Sequence, residues 1–386
     1  MENPFFAFFI FILILFFYIH ITAQWKTSND LEIYESDYES PTQLQEVCAV
    51  KQPVVFKFQK EPVANTFFEK CQSAKFDKYD NIDVRIKDRT DYAVAVKDRQ
   101  DYNKSTGSKD TSVDYVPLSF RSARRLMMTD TNAKYFSEKN QTFLEESGLD
   151  RLSHSLDALL KPPLSAYTKY DILLGSPLVT TPLRYHLESH KFIATTRGKI
   201  TVKLCPPKYS KIIPTHRDYE NYEFWSSLNP GSNSPKDKEL LQKIKFLDIE
   251  VNSGDVLFVP PYWWYSITFS GDPETTVAAF TYDVAMNIAA QSKHWGLYYL
   301  QQSNIKNRPA KTIVVSDDGV FSLAVAKVPV SEDGDQTSQT QTSISSDEVV
   351  NSVMINSNEI EPTQPVKREI VTNAGTYVTG SLPEIS

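Results

Sequence analysis

Cysteine and glycine are both scarce in this sequence of 386 residues. Its three cysteines, Cys48, Cys71 and Cys205, lie far apart and lack the short spacings of zinc sites. A sparse, odd number of cysteines argues against a disulfide framework and suits a reducing compartment. Only 12 glycines are present, and none belongs to a phosphate-binding loop. The hydrolase patterns Gly-x-Ser-x-Gly and His-Glu-x-x-His are also absent.

An excess of positive charge is lacking as well, because the formal net charge is −7. The negative excess is concentrated in residues 331–386, where nine acidic residues face only Lys367 and Arg368. The rest of the chain is balanced and has no basic face, so nucleic acid is not an expected partner. Residues 331–386 are rich in polar residues and predict a disordered tail, because they cannot bury enough apolar surface to offset ordering.

A long apolar run stands near the start of the chain. Residues Pro4–Ala23 are uncharged and rich in Phe, Ile and Leu, and a helix of this length spans about 30 Å of bilayer. The alternative is a cleaved secretory signal, but Glu2 without a nearby Lys or Arg and Ile21 near the cleavage position fit it poorly. We therefore interpret residues 1–25 as a single-pass transmembrane anchor. Lys26, the nearest basic residue, favours a cytosolic main domain.

Between the anchor and the main domain, residues 26–50 are polar and acidic and predict a tether. The alternating run Gln52–Phe58 predicts the first strand of a domain over residues 51–302. Alternation also predicts short strands at Ile82–Ile86 and Tyr92–Val96. Apolar residues at three- and four-residue spacings predict helices over Ser119–Met128, Phe143–Leu160 and Ala285–Gln302. Residues 303–330 form a C-terminal extension before the tail.

The β core of this domain is predicted at about residues 171–284. Its strands alternate between apolar and polar positions, so one face of each is expected to be buried. The wholly apolar run Val256–Val259 predicts a strand that is buried on both faces. Lys208–Lys243 interrupts the core and predicts a long loop. The inward positions of two alternating strands are Ile200, Val202 and Leu204, and Leu247, Ile249 and Val251.

Two blocks of the core carry a specific motif order. The first contains Thr-Pro-Leu and polar residues in Thr180–His190, then Gly and an alternating strand in Gly198–Pro207. The second is Gly-Asp-Val-Leu-Phe-Val-Pro-Pro-Tyr-Trp-Trp in Gly254–Trp264. This order resembles the JmjC/cupin-like family. The resemblance implies a mainly β fold with flanking helices, a double-stranded β-helix (jelly-roll), and the chemistry of Fe(II)- and 2-oxoglutarate-dependent oxygenases.

The resemblance also implies a metal site made of His-x-Asp/Glu after Thr-Pro-x and a His after Trp-Trp. In this sequence Tyr265 follows Trp-Trp. In one register Arg184 and His186 replace the first pair, and a guanidinium has no acceptor with which to bind a cation. In a second register His186 and Glu188 form the pair and, with Tyr265, an atypical metal site. His190 shares a strand face with His186 and Glu188, so a zinc-like site is a further alternative.

The family's 2-oxoglutarate anchor is a Lys two residues after the strand's Gly, and here that position is Ile200. Lys199 and Lys203 are the nearby candidates for binding 2-oxoglutarate, although alternation places both on the opposite face. Arg184 beside the tryptophans is predicted to line a pocket that holds a carboxylate or stacks on an aromatic ring. The predicted pocket residues are Arg184, Trp263 and Trp264.

Together these patterns predict a membrane-tethered JmjC/cupin-like protein that is catalytically degenerate and acts as a binding module for a protein partner. In that interpretation no cofactor is required. The alternative is an Fe(II)- and 2-oxoglutarate-dependent protein hydroxylase or demethylase-like oxygenase. It would use His186, Glu188 and Tyr265 to hold Fe(II).

Overall fold

Two stacked β-sheets form the framework of the folded chain. The structure is a computed structural model that describes residues 4–58, 60–93, 95, 113–231, 235–304, 311–315 and 321–325. A mainly β chain with flanking helices, as the sequence predicts, is confirmed. The predicted tail, residues 331–386, lies outside the described residues.

Within the described ranges, the larger sheet has nine strands in the spatial order β1-β2-β13-β8-β15-β6-β5-β3-β4. Its neighbours pair antiparallel except β1 and β2, which are parallel. The strands are β1 (Tyr34–Asp37), β2 (Val54–Lys57), β3 (Asp83–Asp88), β4 (Val116–Ser119), β5 (Tyr135–Ser137), β6 (Ser165–Gly175), β8 (His190–Arg197), β13 (Asp255–Val259) and β15 (Thr276–Val284).

The smaller sheet, counted over the same residues, has six antiparallel strands in the order β10-β11-β7-β14-β9-β12. They are β7 (Arg184–Tyr185), β9 (Lys199–Cys205), β10 (Thr215–Asp218), β11 (Glu223–Ser226), β12 (Leu247–Asn252) and β14 (Trp264–Phe269). A separate pair of strands consists of β16 (Lys311–Val315) and β17 (Phe321–Val325).

Apolar alternation explains how the two sheets stack. Ile200, Val202 and Leu204 of β9 are fully buried and face the larger sheet, as the sequence predicts. Every residue of β13 is buried, which confirms a strand covered on both faces. One apolar core therefore fills the space between the sheets, and a second covers the other face of the larger sheet.

The second core is formed with helices that pack on the larger sheet. The predicted helix at Ser119–Met128 is confirmed as α4, whereas the predicted helix at Phe143–Leu160 is divided into three. Gly148 ends the first of these in a left-handed conformation, with φ of 70°. The helices are α1 (Pro4–Gln24), α2 (Pro41–Ala49), α3 (Pro62–Lys70), α4 (Phe120–Thr129), α5 (Gln141–Ser147), α6 (Asp150–Ser155), α7 (Asp157–Leu160), α8 (Pro235–Leu241), α9 (Ala285–Ala290) and α10 (Ser292–Asn304).

The segment predicted as a tether differs from the structure, because residues 34–49 belong to the folded domain. β1 extends the larger sheet, and α2 buries Leu44 and Cys48 against it. The two buried positions are four residues apart, which places them on one helix face. Ser40 caps the helix by accepting a hydrogen bond from Gln43 N. The polarity of the remaining positions conceals this short amphipathic helix in the sequence.

Two further expectations are corrected by the structure. Residues 89–93, where a second short strand is predicted to begin, are helical. The reason is local, since Asp88 Oδ1 accepts hydrogen bonds from both the backbone N and the hydroxyl of Thr90. The predicted loop at Lys208–Lys243 contains the hairpin of β10 and β11 and the short helix α8.

The apolar N-terminal run forms one continuous helix, α1. Its segment Phe5–Gln24 is long and apolar enough to cross a membrane, and none of it is buried in the described structure. A signal sequence shares these properties. Just after the helix, Trp25 Nε1 donates a hydrogen bond to the carbonyl oxygen of Ala290, 3.2 Å away. The end of α1 is thereby attached to the domain at α9.

Two glycine turns give a direct test of this packing. Gly198 and Gly254 both have positive φ, 74° and 93°. A Cβ atom at Gly198 would lie 2.7 Å from Thr275 Oγ1, whereas one at Gly254 would meet open space. We expect Gly198→Ala to lower the free energy of unfolding by about 2–4 kcal/mol and Gly254→Ala by about 1–2 kcal/mol. Equal losses in chemical denaturation would contradict the close approach at Thr275.

Candidate functional site

The candidate site lies between the two sheets, beside the strands β7 and β14. Arg184 on β7 pairs with Tyr265 on β14, and its guanidinium carbon lies 5.4 Å from the centre of the Tyr265 ring. The two registers that the motif allows both stay predictions. His186 follows just after the strand.

A buried ion pair neutralises Arg184. Its Nη1 lies 2.5 Å from Glu138 Oε2, and the two side chains are only 12% and 5% exposed. Burial opposes the charged form, but Glu138 holds the pKa of Arg184 well above its usual value. Burial alone would raise the pKa of Glu138, yet the nearby guanidinium lowers it. Within the described residues Arg184 Nε has no hydrogen-bond partner.

A second buried carboxylate, Glu223 on β11, binds two lysines. Lys87 Nζ lies 2.7 Å from Glu223 Oε2, and Lys139 Nζ lies 2.7 Å from Oε1. Tyr115 also donates to Glu223 and reaches Glu138 Oε1 at 3.2 Å, so it bridges the two carboxylates. Although burial opposes ionisation, Lys139 and Lys87 lower the pKa of Glu223. The region thus contains a connected network of fixed charges.

His186 and Glu188 lie close together, but the ring nitrogens of His186 contact backbone carbonyl oxygens. His186 Nδ1 lies 3.7 Å from Glu188 Oε2. However, Nδ1 and Nε2 lie 3.1 and 3.0 Å from the backbone carbonyl oxygens of Glu188 and Val259. Burial lowers the pKa of His186 to about 4, so the ring is neutral near pH 7. The Tyr265 ring is 6.1 Å away between centroids.

The other predicted residues lie on different surfaces. Lys199 and Lys203 point outward and form exposed ion pairs with Glu250 and Asp248 on β12. Trp263 packs between the sheets, while Trp264 packs on the outer face of the smaller sheet. The two tryptophans therefore do not line one pocket together with Arg184.

A row of polar side chains that the sequence analysis did not identify crosses the larger sheet. Thr281 on β15 pairs with Lys169 on β6 and with Lys191 on β8, so the three residues lie side by side. Lys191 Nζ lies 5.7 Å from the centre of the Tyr265 ring, which places the row opposite Arg184. The sequence could have revealed both lysines, because each lies at a position whose alternation with its neighbours points its side chain into the core.

The burial of these lysines affects their protonation differently. Burial lowers the pKa of Lys169, and the charge of Lys139 lowers it further. Burial also opposes the charge on Lys191, but Tyr265 and Glu188 raise its pKa overall. Glu138 forms its ion pair with Arg184, and Glu223 forms its ion pairs with Lys87 and Lys139. Glu188 favours the charged form of both Lys169 and Lys191, and Asp171 favours that of Lys169, without a direct ion pair among the described residues. In the described part of the chain, neither Lys169 nor Lys191 has an ion-pair partner of its own.

The chain matches a known protein family over most of its folded domain. A family model described as a cupin-like domain matches residues 40–289. The chain belongs to the cupin-like domain family. This family is related to JmjC domains, and its members often bind Fe(II) together with 2-oxoglutarate. The family resemblance of the two motif blocks is therefore confirmed. A comparison with curated proteins gives no match.

The residues of this cupin-like domain do not fit an Fe(II) centre. Among the described residues, no group of three or more His, Cys, Asp or Glu side chains is placed to hold a metal ion. Arg184 pairs with Tyr265 and with Glu138, and both nitrogens of His186 face carbonyl oxygens. The set of His186, Glu188 and Tyr265 stays a prediction that this geometry does not support. What the site offers instead is paired and unpaired positive charge.

A buried carboxyl group borders the site at the end of β15. Asp283 Oδ1 accepts hydrogen bonds from Ser189 N at 3.1 Å and from Asn287 Nδ2 at 2.7 Å. Burial raises the pKa of Asp283 to about 7, and the charge of Glu188 acts in the same direction. The folded chain therefore binds this proton more tightly than the unfolded chain does.

Because the folded pKa is raised, the contribution of Asp283 to stability is full below about pH 4 and is lost as the pH rises to about 7. We expect Asp283→Asn, which cannot titrate, to become more stable relative to the natural chain over this range. The change should reach roughly 2–4 kcal/mol. Urea denaturation between pH 4 and 8 measures it, with the exposed Asp248→Asn as control. A pH-independent difference for Asp283→Asn would contradict the raised pKa.

Proposed function

We propose that this chain is a membrane-anchored cupin-like module that binds an anionic group between its two sheets without Fe(II). In this proposal the two sheets form a double-stranded β-helix, and the ligand enters between them at one end of the barrel. The observation that carries the proposal is the row of Lys169, Thr281 and Lys191, which faces Arg184 and Tyr265.

The spacing of this row suits a single anion. Neighbouring strands lie about 4.8 Å apart, so the Cα atoms of Lys169 and Lys191 are separated by about 10 Å with Thr281 between them. Two long ammonium side chains can therefore reach one carboxylate or phosphate, and the threonine hydroxyl can donate a hydrogen bond to it.

The charge balance favours the same ligand. Lys169 is half-buried and its pKa is lowered by burial, so an anion beside it would recover electrostatic energy that burial removes. A unit charge at about 4 Å contributes roughly 4 kcal/mol at an effective dielectric of 20. A divalent cation at this place would instead be repelled by Lys169 and Lys191, while Arg184 is already paired with Glu138.

The ligand class is a carboxylate or phosphate, either free or presented by an acidic residue of a protein partner. A protein partner agrees with the binding-module role that the sequence predicts, and no basic surface recommends nucleic acid. The alternative of an Fe(II)- and 2-oxoglutarate-dependent oxygenase rests on the close approach of His186 and Glu188. The two functions differ in whether a metal is required.

Titration calorimetry of the full chain in uncharged detergent with EDTA tests the anion site, using 2-oxoglutarate, succinate and phosphate as probes. We expect metal-independent binding that weakens about tenfold or more in Lys191→Gln and Lys169→Gln, because each removes a charged hydrogen bond. The matched control is Lys203→Gln, a lysine on the outer face of the smaller sheet.

Three outcomes would reject the anion module. They are the absence of anion binding, binding that requires Fe(II), and consumption of 2-oxoglutarate by the natural chain. Micromolar Fe(II) binding that Glu188→Ala abolishes would support the oxygenase alternative.

The second part of the proposal is that α1 is a membrane anchor and that the domain lies on the cytosolic side. Its length matches a bilayer span, and Trp25 lies where interfacial aromatic residues are common. We expect the full chain to stay in the membrane during carbonate extraction, whereas a chain beginning at Lys26 is released. A mature N-terminus at Gln24 would show a cleaved signal and reject the anchor.

A further inference from the structure

A separate cavity lies on the opposite face of the smaller sheet from the anion site. Its volume is ≈ 330 Å³, and its lining includes Tyr185, Trp264, Ser210, Arg217 and His294. Tyr185 and Trp264 neighbour Arg184 and Tyr265 in sequence, and alternation along a strand sends successive side chains to opposite faces. This cavity, the outer pocket, is therefore independent of the site between the sheets.

The outer pocket combines aromatic walls with one cation. The rings of Tyr185 and Trp264 meet edge to face, 4.7 Å apart between centroids. Trp264 Nε1 donates to Ser210 Oγ at 2.8 Å, which satisfies the buried indole. Arg217 contacts the Tyr185 hydroxyl, and it forms no ion pair with any carboxylate among the described residues. An exposed guanidinium of this kind, beside an apolar wall, suits a phosphate attached to an apolar body.

Both walls of the outer pocket are joined to the segment that follows α1. On one side, Trp25 Nε1 donates to Ala290 O, one helical turn before His294. On the other side, Lys208 donates to Asn29 through its backbone N at 2.9 Å and its Nζ at 3.0 Å. Lys208 lies two residues before Ser210. The pocket walls are thus fixed to residues 25–29, directly after the apolar helix.

The end of α1 is fixed by a further contact. Lys51 Nζ donates to the carbonyl oxygens of Ala23 and Gln24 at 2.9 and 3.3 Å. These are among the last carbonyls of the helix, which lack partners within it. With α1 across a bilayer, residues 25–29 lie in the headgroup region, and the pocket walls attached to them are held close to it. The exposed Lys26, Lys211 and Lys293 add positive charge to this side of the domain.

We propose that the outer pocket binds the headgroup phosphate of an anionic phospholipid, with Arg217 as the phosphate ligand and Tyr185, which packs on the fully buried Trp264, against the glycerol and upper acyl carbons. The proposal rests on the proposed membrane anchor and is independent of the anion site. A lipid is favoured over a soluble phosphate because aromatic side chains stand beside the guanidinium and the pocket walls are attached to the residues that follow α1.

Native mass spectrometry of the full chain in uncharged detergent tests this site. The probes are dioleoyl phosphatidylglycerol, dioleoyl phosphatidylcholine, glycerol 3-phosphate and inorganic phosphate. We expect one phosphatidylglycerol to be retained at a concentration about tenfold lower than phosphatidylcholine, because a guanidinium–phosphate contact is charge-assisted. Arg217→Gln should remove this preference and Arg217→Lys should restore part of it.

The matched control is Arg121→Gln, which alters an exposed arginine on α4 that pairs with Asp80. It should leave lipid retention unchanged. Thermal denaturation of each variant checks that Arg217→Gln remains folded, and Tyr185→Leu provides a second variant that keeps the charge but removes the half-buried aromatic ring. We expect Tyr185→Leu to weaken the binding of phosphatidylglycerol and to leave that of inorganic phosphate unaffected.

Equal retention of the two lipids, or a preference that survives Arg217→Gln, would overturn the proposal. Binding of inorganic phosphate or glycerol 3-phosphate as tight as that of phosphatidylglycerol would overturn it too, because the site would then be one for soluble anions. If the anion site were wrong, Lys169→Gln and Lys191→Gln would leave anion binding unchanged in calorimetry. If the anchor were wrong, carbonate would release the full chain from the membrane. Both results are separate from the lipid measurement.

Discussion

The buried pair of Arg184 and Glu138 is the interaction on which the site depends. Glu138 follows β5 of the larger sheet, and Arg184 belongs to β7 of the smaller one, so the pair joins the two sheets. Breaking such a pair leaves an uncompensated charge in a poorly solvated place, at a cost of about 3–5 kcal/mol. The guanidinium is therefore held in place beside Tyr265.

The charges around this pair follow from the same constraint. Glu223 needs partners because it is buried, and Lys87 and Lys139 supply them from elements of the larger-sheet side. These contacts occupy Glu138 and Glu223, and among the described residues Lys169 and Lys191 form no direct ion pair, although the charge of Glu188 favours the charged form of both. In the proposed function, an anion would meet positive groups that the fold has already brought together.

The two faces of the smaller sheet line two different sites, because successive side chains along a strand point to opposite faces. Arg184 and Tyr265 face the larger sheet, while their neighbours Tyr185 and Trp264 face the outer pocket. A shift of one residue in either strand would exchange these sets. The antiparallel pairing of β7, β14 and β9 thus sets both the charged interior and the aromatic exterior.

The sequence by itself determined the family, the apolar N-terminal helix, and the strands whose side chains alternate clearly, such as Ile200 to Leu204 and Val256 to Val259. These features depend on local order, which periodicity and motif spacing reveal. It also indicated that Lys199 and Lys203 point away from the core. Only the tertiary structure decided which charges meet, because Glu138, Lys169 and Lys191 belong to the larger sheet or directly follow one of its strands, whereas Arg184 belongs to the smaller sheet. Their contacts arise from strand pairing and sheet stacking, and no local pattern records them.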